Sequence, residues 1–172
     1  ISYTQINEDF YDNEFLTNPV WYGAISKYKV IDPPTSGNGS IAASALDDDH
    51  VLRSKQNKND AVLTTASNIA YGEWRFSVAD GKGWSVSSTN DYFIILISDD
   101  STSSKLKDGT SLNFNGYYLR YDGSNNDQFA LYKQTGTTEE LILNTNFPSS
   151  IDNTGASDGY SVKITRNITG LW

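Results

Sequence analysis

The chain has 172 residues, and its 13 Lys and Arg against 21 Asp and Glu give a formal net charge of −8. This length suits one domain with a sizeable core. The negative charge disfavours nucleic acid and anionic lipid as partners, since phosphate binding needs clustered Lys and Arg. No apolar run approaches the roughly 20 residues of a membrane span, so we expect no membrane insertion. There is no Cys and no Met, even at position 1. We therefore expect Ile1 to be a processed start, with a removed signal peptide as the leading explanation.

Period-two alternation of apolar and polar residues, interrupted by Gly, Asn, Asp and Pro, recurs along the chain and predicts an all-β protein. Helix content should be small, because no segment keeps an apolar i, i+3, i+4 stripe for three turns. In chain order, strands are predicted at Lys27–Ile31, Val51–Lys55, Ala61–Ala66, Gly72–Ala79, Tyr92–Ser98, Gly116–Tyr121, Gln128–Gln134, Glu140–Asn144 and Tyr160–Arg166.

Two of these strands predict how the sheets are covered. In Glu73–Ala79, the apolar Trp74 and the residues at even spacing after it alternate with charged or polar ones, so one side should be core. Tyr92–Ile97 is apolar on both sides and should be a central strand covered on both faces. Residues 1–172 are therefore predicted to form a single two-sheet antiparallel β-sandwich of jelly-roll type.

The stretch from Asn115 to Gly136 predicts a hairpin around the polar turn Asp122–Asp127. If Tyr117, Leu119 and Tyr121 face the core, Tyr118 and Arg120 face outward by alternation. If Phe129 and Leu131 are core, Tyr132 and Gln134 face outward on the neighbouring strand, and Arg75 is outward by the same reasoning.

The last residues indicate an unfinished hairpin. Tyr160–Arg166 reads as a core strand, residues 167–170 as a turn, and Leu171 and Trp172 as the start of a partner strand. An edge left without a partner attracts other strands. We expect the natural protein to continue past Trp172, and the isolated chain to be prone to aggregation.

Three segments resemble a known group: INEDFYDNEFLTNPVWYG near the start, NGYYLRYDGSNNDQFALYKQTG in the centre and DGYSVKITRNITGLW at the end. They look like the first domain of large secreted or surface proteins of gliding-type bacteria, which is similar to the concanavalin A-like lectin and glucanase superfamily, laminin G-like modules included. Residues 33–60 carry no such resemblance. The resemblance implies a jelly roll of two antiparallel sheets and export to the medium or the cell surface, with the type IX secretion machinery as a partner. That superfamily holds sugar binders, enzymes and structural modules, so the fold does not choose among them.

Catalytic chemistry has weak support in the sequence. The strand-borne Glu-x-Asp-x-x-Glu of the superfamily's family 16 glucanases is missing. Glu139 and Glu140 are adjacent, so on a strand they should point to opposite faces and cannot act as a pair of carboxyls. The single histidine, His50, cannot carry a zinc site by itself; we expect it at the surface. We predict no catalytic residues.

A structural calcium ion is a possible cofactor, because hard oxygen ligands are plentiful. Superfamily jelly rolls often hold one such ion where the termini meet, which makes Asp9 and Asp158 the predicted ligands. The alternative is that such carboxylates satisfy backbone groups of their own turns.

Sugar binding is the sharpest functional hypothesis. A sugar site on a β-sandwich usually combines an aromatic ring for the apolar sugar face with planar polar side chains for the hydroxyls. The candidates are Arg75, Trp84, Tyr118, Arg120, Tyr132 and Gln134. The alternative is that Tyr118 and Tyr132 form an ordinary cross-strand pair.

The leading functional hypothesis is therefore a non-catalytic module of a secreted or cell-surface protein that binds a polysaccharide or mediates adhesion. The first alternative is a structural or cargo domain of a larger exported protein, with no sugar ligand. The second is a glycoside hydrolase or polysaccharide lyase of the same superfamily.

Overall fold

The computed structural model describes residues 6–17, 19–32, 50–54, 62–79, 92–100, 107–108, 111–122, 128–144 and 159–172. Within these ranges the fold is all-β, with one short 3-10 turn at Ile25–Lys27. The strands are β1 (Trp21–Gly23), β2 (Tyr28–Ile31), β3 (Val51–Ser54), β4 (Leu63–Thr65), β5 (Gly72–Ala79), β6 (Tyr92–Ser98), β7 (Lys107–Asp108), β8 (Ser111–Leu112), β9 (Phe114–Asp122), β10 (Gln128–Gly136), β11 (Thr138–Asn144) and β12 (Gly159–Arg166). The predicted all-β class and its small helix content are confirmed.

The larger sheet has four antiparallel strands in the order β11-β10-β9-β6. The predicted hairpin around residues 122–128 is its centre, with Tyr118 opposite Tyr132 and Leu119 opposite Leu131. The other described pairs, all antiparallel, are β12-β5, β1-β4, β2-β3 and β7-β8. Among them β12-β5 is the longest, and we call it the smaller sheet.

The two sheets pack face to face as a sandwich. Tyr121 and Phe129 of the larger sheet are buried and lie against Val78 of β5 and Val162 of β12. The face of the larger sheet that carries Tyr121 and Phe129 is called the inner face here. The predicted alternation in β5 is confirmed, because Trp74, Phe76 and Val78 are partly buried whereas Glu73, Arg75 and Ser77 are exposed.

The opposite, outer face of the larger sheet is also covered over its middle. Phe114 and Tyr118 form a second buried cluster, against which Val62, Ile95, Leu112 and Tyr132 pack. Strands β9 and β10 are thus the strands with cover on both faces. Tyr92–Ile97 was predicted to be a central strand covered on both faces; in the part of the chain that the structure describes, β6 ends the sheet, and Tyr92 and Phe93 are exposed, so the strand is not covered on both faces along its whole length. The apolar residues on both faces of β6 indicated that the strand is buried, but they carried no information on its place in the order of strands across the sheet.

A close approach joins β6 to β9. Ile95 pairs with Tyr118 and Ile97 pairs with Tyr117, so the register of the two strands shifts between them. At Gly116 a β-carbon would lie 2.8 Å from the Ile97 carbonyl carbon and still nearer to its oxygen. Only glycine fits there without moving one of the two backbones.

The end of the chain differs from the sequence-based expectation. Leu171 and Trp172 do not form a strand. Instead Asn167 N–H donates to the Leu171 carbonyl at 2.9 Å, which closes the turn. The Trp172 ring then packs at 5.0 Å from Tyr117 and 5.5 Å from Trp74, between centroids. Packing of this large ring against both sheets replaces the predicted strand pairing.

No helix in the part of the chain that the structure describes is long and apolar enough to cross a membrane.

Candidate functional site

The register of the larger sheet brings an arginine and three aromatic rings together on the outer face. Tyr118 and Arg120 are two residues apart on β9 and share this face. Tyr118 pairs with Tyr132 of β10, and Arg120 pairs with Phe93 of β6. Glu139 of β11 reaches the same group. We call Phe93, Tyr118, Arg120, Tyr132 and Glu139 the arginine–aromatic cluster.

The rings of this cluster surround the guanidinium group. The Tyr118 and Tyr132 rings stack at 5.3 Å with an interplanar angle of 12°, and Phe93 lies 5.7 Å from Tyr118. The guanidinium carbon of Arg120 is 4.5 Å from the Tyr132 centroid, 5.5 Å from Phe93 and 5.9 Å from Tyr118. All three distances fall within the range of cation–π attraction.

A single carboxylate oxygen completes the polar part. The Tyr118 hydroxyl donates to Glu139 Oε2 at 2.6 Å, and Arg120 Nη2 donates both to this oxygen and, at 3.0 Å, to the Tyr118 hydroxyl. Arg120 and Glu139 therefore form an ion pair that shares one oxygen with the tyrosine.

Burial and these partners determine the protonation states of Tyr118 and Arg120. Desolvation raises the pKa of Tyr118, and its hydrogen bond to Glu139 raises it further. Desolvation favours the neutral form of Arg120, but interaction with Tyr118 and Glu139 outweighs it and raises the pKa of Arg120. At neutral pH the tyrosine is therefore a neutral donor beside a charged guanidinium group.

The cluster has a closed base and an accessible rim. Tyr118 is fully buried, and the Arg120 side chain is 17% exposed. The Glu139 side chain is 44% exposed and Phe93 38%. A ligand at the rim would meet the edge of an aromatic ring, a carboxylate and part of a guanidinium group.

Two predicted ligand residues, Tyr118 and Gln134, are not available to a ligand. Both were expected to be exposed, and both are buried. The start of β9 and the residue pair before it cover them: Phe114 packs on Tyr118, and the Gln134 amide nitrogen donates to the carbonyl of Leu112 (3.2 Å) and to that of Gly136 in its own strand (2.7 Å). Alternation correctly separated the two faces of the hairpin, but it could not show that a neighbouring segment covers the outer one.

The other predicted ligand residues divide among several places. Arg120 and Tyr132 belong to the cluster, on the face where alternation placed them. Arg75 lies on the exposed side of β5, in the other sheet, where it pairs with Glu73; Lys163 of β12 pairs with the same carboxylate at 2.9 Å. Trp84 lies outside the described residues. The structure therefore does not bring Arg75 to the cluster.

The predicted metal ligands are only partly described. The Asp9 carboxylate accepts a hydrogen bond from Tyr11 N–H at 3.0 Å, as an Asx-type turn does. In the described ranges no group of three or more His, Asp or Glu side chains is arranged to hold a metal ion. Asp158 lies outside those ranges, so the calcium site stays a prediction.

Candidate acid–base groups are separated. Glu139 pairs with Gln134 and Glu140 with Lys133, adjacent residues of β10, so the two carboxylates point to opposite faces as predicted. His50 was expected at the surface, yet its side chain is only 16% exposed. Its Nε2 lies 3.2 Å from an Asp32 carboxylate oxygen, and its ring lies 5.2 Å from that of Tyr11.

Sequence reasoning missed two members of the cluster. Phe93 was assigned to a doubly covered strand, and Glu139 was considered only as half of a carboxylate pair. Phe93 meets Arg120 through the pairing of β6 with β9, and Glu139 reaches it from β11 across the intervening strand β10. No local pattern signals such a pairing; the even spacing of Arg120 and Tyr118 was the only available indication.

Comparison of the chain with models of known protein families, with curated proteins and with solved structures gives no match.

Proposed function

We propose that this chain is a non-catalytic module of a secreted or cell-surface protein, and that it binds glycan at the rim of the arginine–aromatic cluster. One observation carries the proposal: the partly exposed Phe93 ring lies on the same surface as the Arg120–Glu139 ion pair. The apolar face of a sugar ring packs on an aromatic ring. Its hydroxyls exchange hydrogen bonds with planar charged side chains such as these.

Several finer expectations belong to this proposal. They are the jelly-roll connectivity, the relationship to the concanavalin A-like superfamily, export to the surface of a gliding-type bacterium and a structural calcium ion at Asp9 and Asp158. The resemblance in the sequence supports them, and the antiparallel sandwich adds support for the first two only.

The test is a glycan array followed by calorimetry on a panel of polysaccharides. We expect Phe93→Ala to weaken binding of a responding glycan about 2- to 12-fold, the worth of one aromatic contact of roughly 0.5–1.5 kcal/mol. Tyr22→Ala is the matched control, because Tyr22 is an exposed aromatic residue on β1, outside the cluster. Absence of binding across the panel, or equal weakening by both variants, would contradict the proposal.

A structural role without a sugar ligand is the second candidate, and the hydrogen bonds that the Tyr118 hydroxyl already makes favour it. The Tyr118 ring is buried, and its hydroxyl is already bonded to Glu139 and Arg120. Such a network holds four strands together whether or not a ligand arrives. A stably folded chain that binds nothing on the array, together with the loss of stability on Tyr118→Phe described below, would favour this role.

A further inference from the structure

Glu139 occupies the nitrogen of Arg120 that an anionic ligand would need. A guanidinium group offers a carboxylate or a sulfate two forks of parallel N–H groups, one formed by Nε and Nη2 and the other by Nη1 and Nη2. In Arg120 the shared nitrogen, Nη2, already donates to Glu139 Oε2 and to the Tyr118 hydroxyl. Its Nε is buried and has no hydrogen-bond partner in the described part of the chain. Neither fork is therefore open to a ligand.

One donor and one acceptor remain at the rim. Among the residues that the structure describes, none accepts a hydrogen bond from Arg120 Nη1 and none donates one to Glu139 Oε1. Both side chains are partly exposed. A sugar hydroxyl can accept from the first and donate to the second, because it carries both functions. An ionised carboxylate or sulfate can only accept.

The charges at the rim also disfavour an anion. Arg120 and Glu139 form an ion pair, so their charges compensate each other locally. An anionic group at Nη1 would meet attraction from Arg120 and repulsion from Glu139, which largely cancel, whereas the cost of removing the anion from water would remain. The net charge of −8 on the whole chain adds repulsion at longer range.

We propose that Glu139 determines the specificity of this rim, because it selects neutral glycans over glycans that carry carboxylate or sulfate groups. This specificity rests on the glycan-binding function proposed above and defines the ligand class of that site. Glu139 acts directly, by accepting a hydrogen bond from a sugar hydroxyl at Oε1. It also acts through Arg120: without Glu139 the guanidinium charge would be uncompensated, and one N–H of Nη2 would be released for an anion.

Calorimetry on matched oligosaccharides tests the specificity. The probes are gluco-, manno- and galacto-oligosaccharides, together with the uronic-acid oligomers of the same linkage and length, which differ from them by one carboxylate on each sugar. In a series that responds, we expect the neutral member to bind the unmodified chain at least about 5-fold more tightly than its acid. Added NaCl should strengthen binding of the acid, because it screens repulsion, and should leave binding of the neutral member unchanged.

Variants of two adjacent glutamates separate the local effect from that of net charge. Glu139→Ala should reverse the preference, so that the acid binds at least as tightly as the neutral member. Glu140→Ala makes the same change in net charge on the opposite face of β11 and should leave the preference unchanged. Glu139→Gln removes the charge but keeps an oxygen that can accept from the Tyr118 hydroxyl; it should abolish most of the preference. Circular dichroism checks that each variant is folded.

Failure of the specificity and failure of the proposed function give different results. An acid that binds as tightly as its neutral counterpart, and that is weakened by Phe93→Ala, would overturn the specificity but leave glycan binding at the rim in place. A preference that neither variant of Glu139 alters, or that Glu140→Ala shifts equally, would overturn the role of Glu139. Absence of binding by every member of the panel would contradict both the proposed function and the specificity.

Discussion

Removing the Tyr118 hydroxyl tests whether the arginine–aromatic cluster stabilises the fold. Tyr118→Phe keeps the ring that stacks on Tyr132 at 5.3 Å, and so opens no cavity. It deletes one donor to Glu139 and one acceptor for Arg120. Packing is held constant, so a change in the free energy of unfolding reports on the polar network.

The expected loss is about 1.5 kcal/mol. Hydrogen bonds to charged groups contribute about 1.5–3 kcal/mol. The lower end applies because the Glu139 side chain is 44% exposed, so water can replace the lost donor. Arg120 also keeps its ion pair with Glu139. For a chain of this size, the loss corresponds to a fall in Tm of about 3–6 °C.

Equilibrium unfolding in urea, followed by circular dichroism, measures this loss. Tyr22→Phe is the control, since Tyr22 is exposed on β1 and its variant should stay within about 0.5 kcal/mol of the unmodified chain. Combining Tyr118→Phe with Glu139→Gln in a double-mutant cycle isolates the pair, for which we expect a coupling of about 1 kcal/mol. A Tyr118→Phe loss below about 0.3 kcal/mol, with no coupling, would refute this reasoning.

Two further predictions follow from the same sheet. The pKa of Tyr118 is raised by burial, so its stabilising contribution is complete below the ordinary tyrosine value of about 10 and is lost as pH rises above it. Tm of the unmodified chain should therefore fall more steeply above pH 10 than Tm of Tyr118→Phe; parallel curves would contradict the assignment. Gly116→Ala forces a β-carbon against the Ile97 carbonyl group and should cost more than about 3 kcal/mol in urea unfolding. Gly136→Ala, where a β-carbon meets nothing within 4 Å, should cost only the roughly 1–2 kcal/mol of its left-handed backbone (φ 58°); equal losses would show that the contact at Gly116 relaxes.

The sequence predicted the long strands well because most of them keep an alternating or continuous apolar pattern over seven to nine residues. The nine predicted strands all correspond to observed ones, with ends displaced by at most a few residues. Trp21–Gly23, Lys107–Asp108 and Ser111–Leu112 were missed, since two or three residues do not establish a period.

The candidate site was predicted less well, because it depends on side-chain contacts that alternation within one strand does not encode. Alternation placed Tyr118, Arg120 and Tyr132 on one face, as observed. It could not show that Phe114 would bury Tyr118, or that Glu139 would bind Arg120 from the strand beyond β10. The packing of side chains along β9 decides the first contact and the lateral order of the strands decides the second, and alternation within a single strand encodes neither.

The packing of Trp172 has a mechanical consequence. The two sheets touch near one end of β9 through Tyr121 and Phe129, against Val78 and Val162. Near the other end Tyr117 meets Trp172, which also contacts Trp74, and Arg166 lies over the Tyr117 and Trp172 rings. Tyr117 and Tyr121 are four residues apart, about 13 Å along the strand. Two anchor points at this separation resist both sliding and rotation of one sheet over the other. A pulling force applied along the strands is therefore shared between both contacts, which must break together before the layers separate.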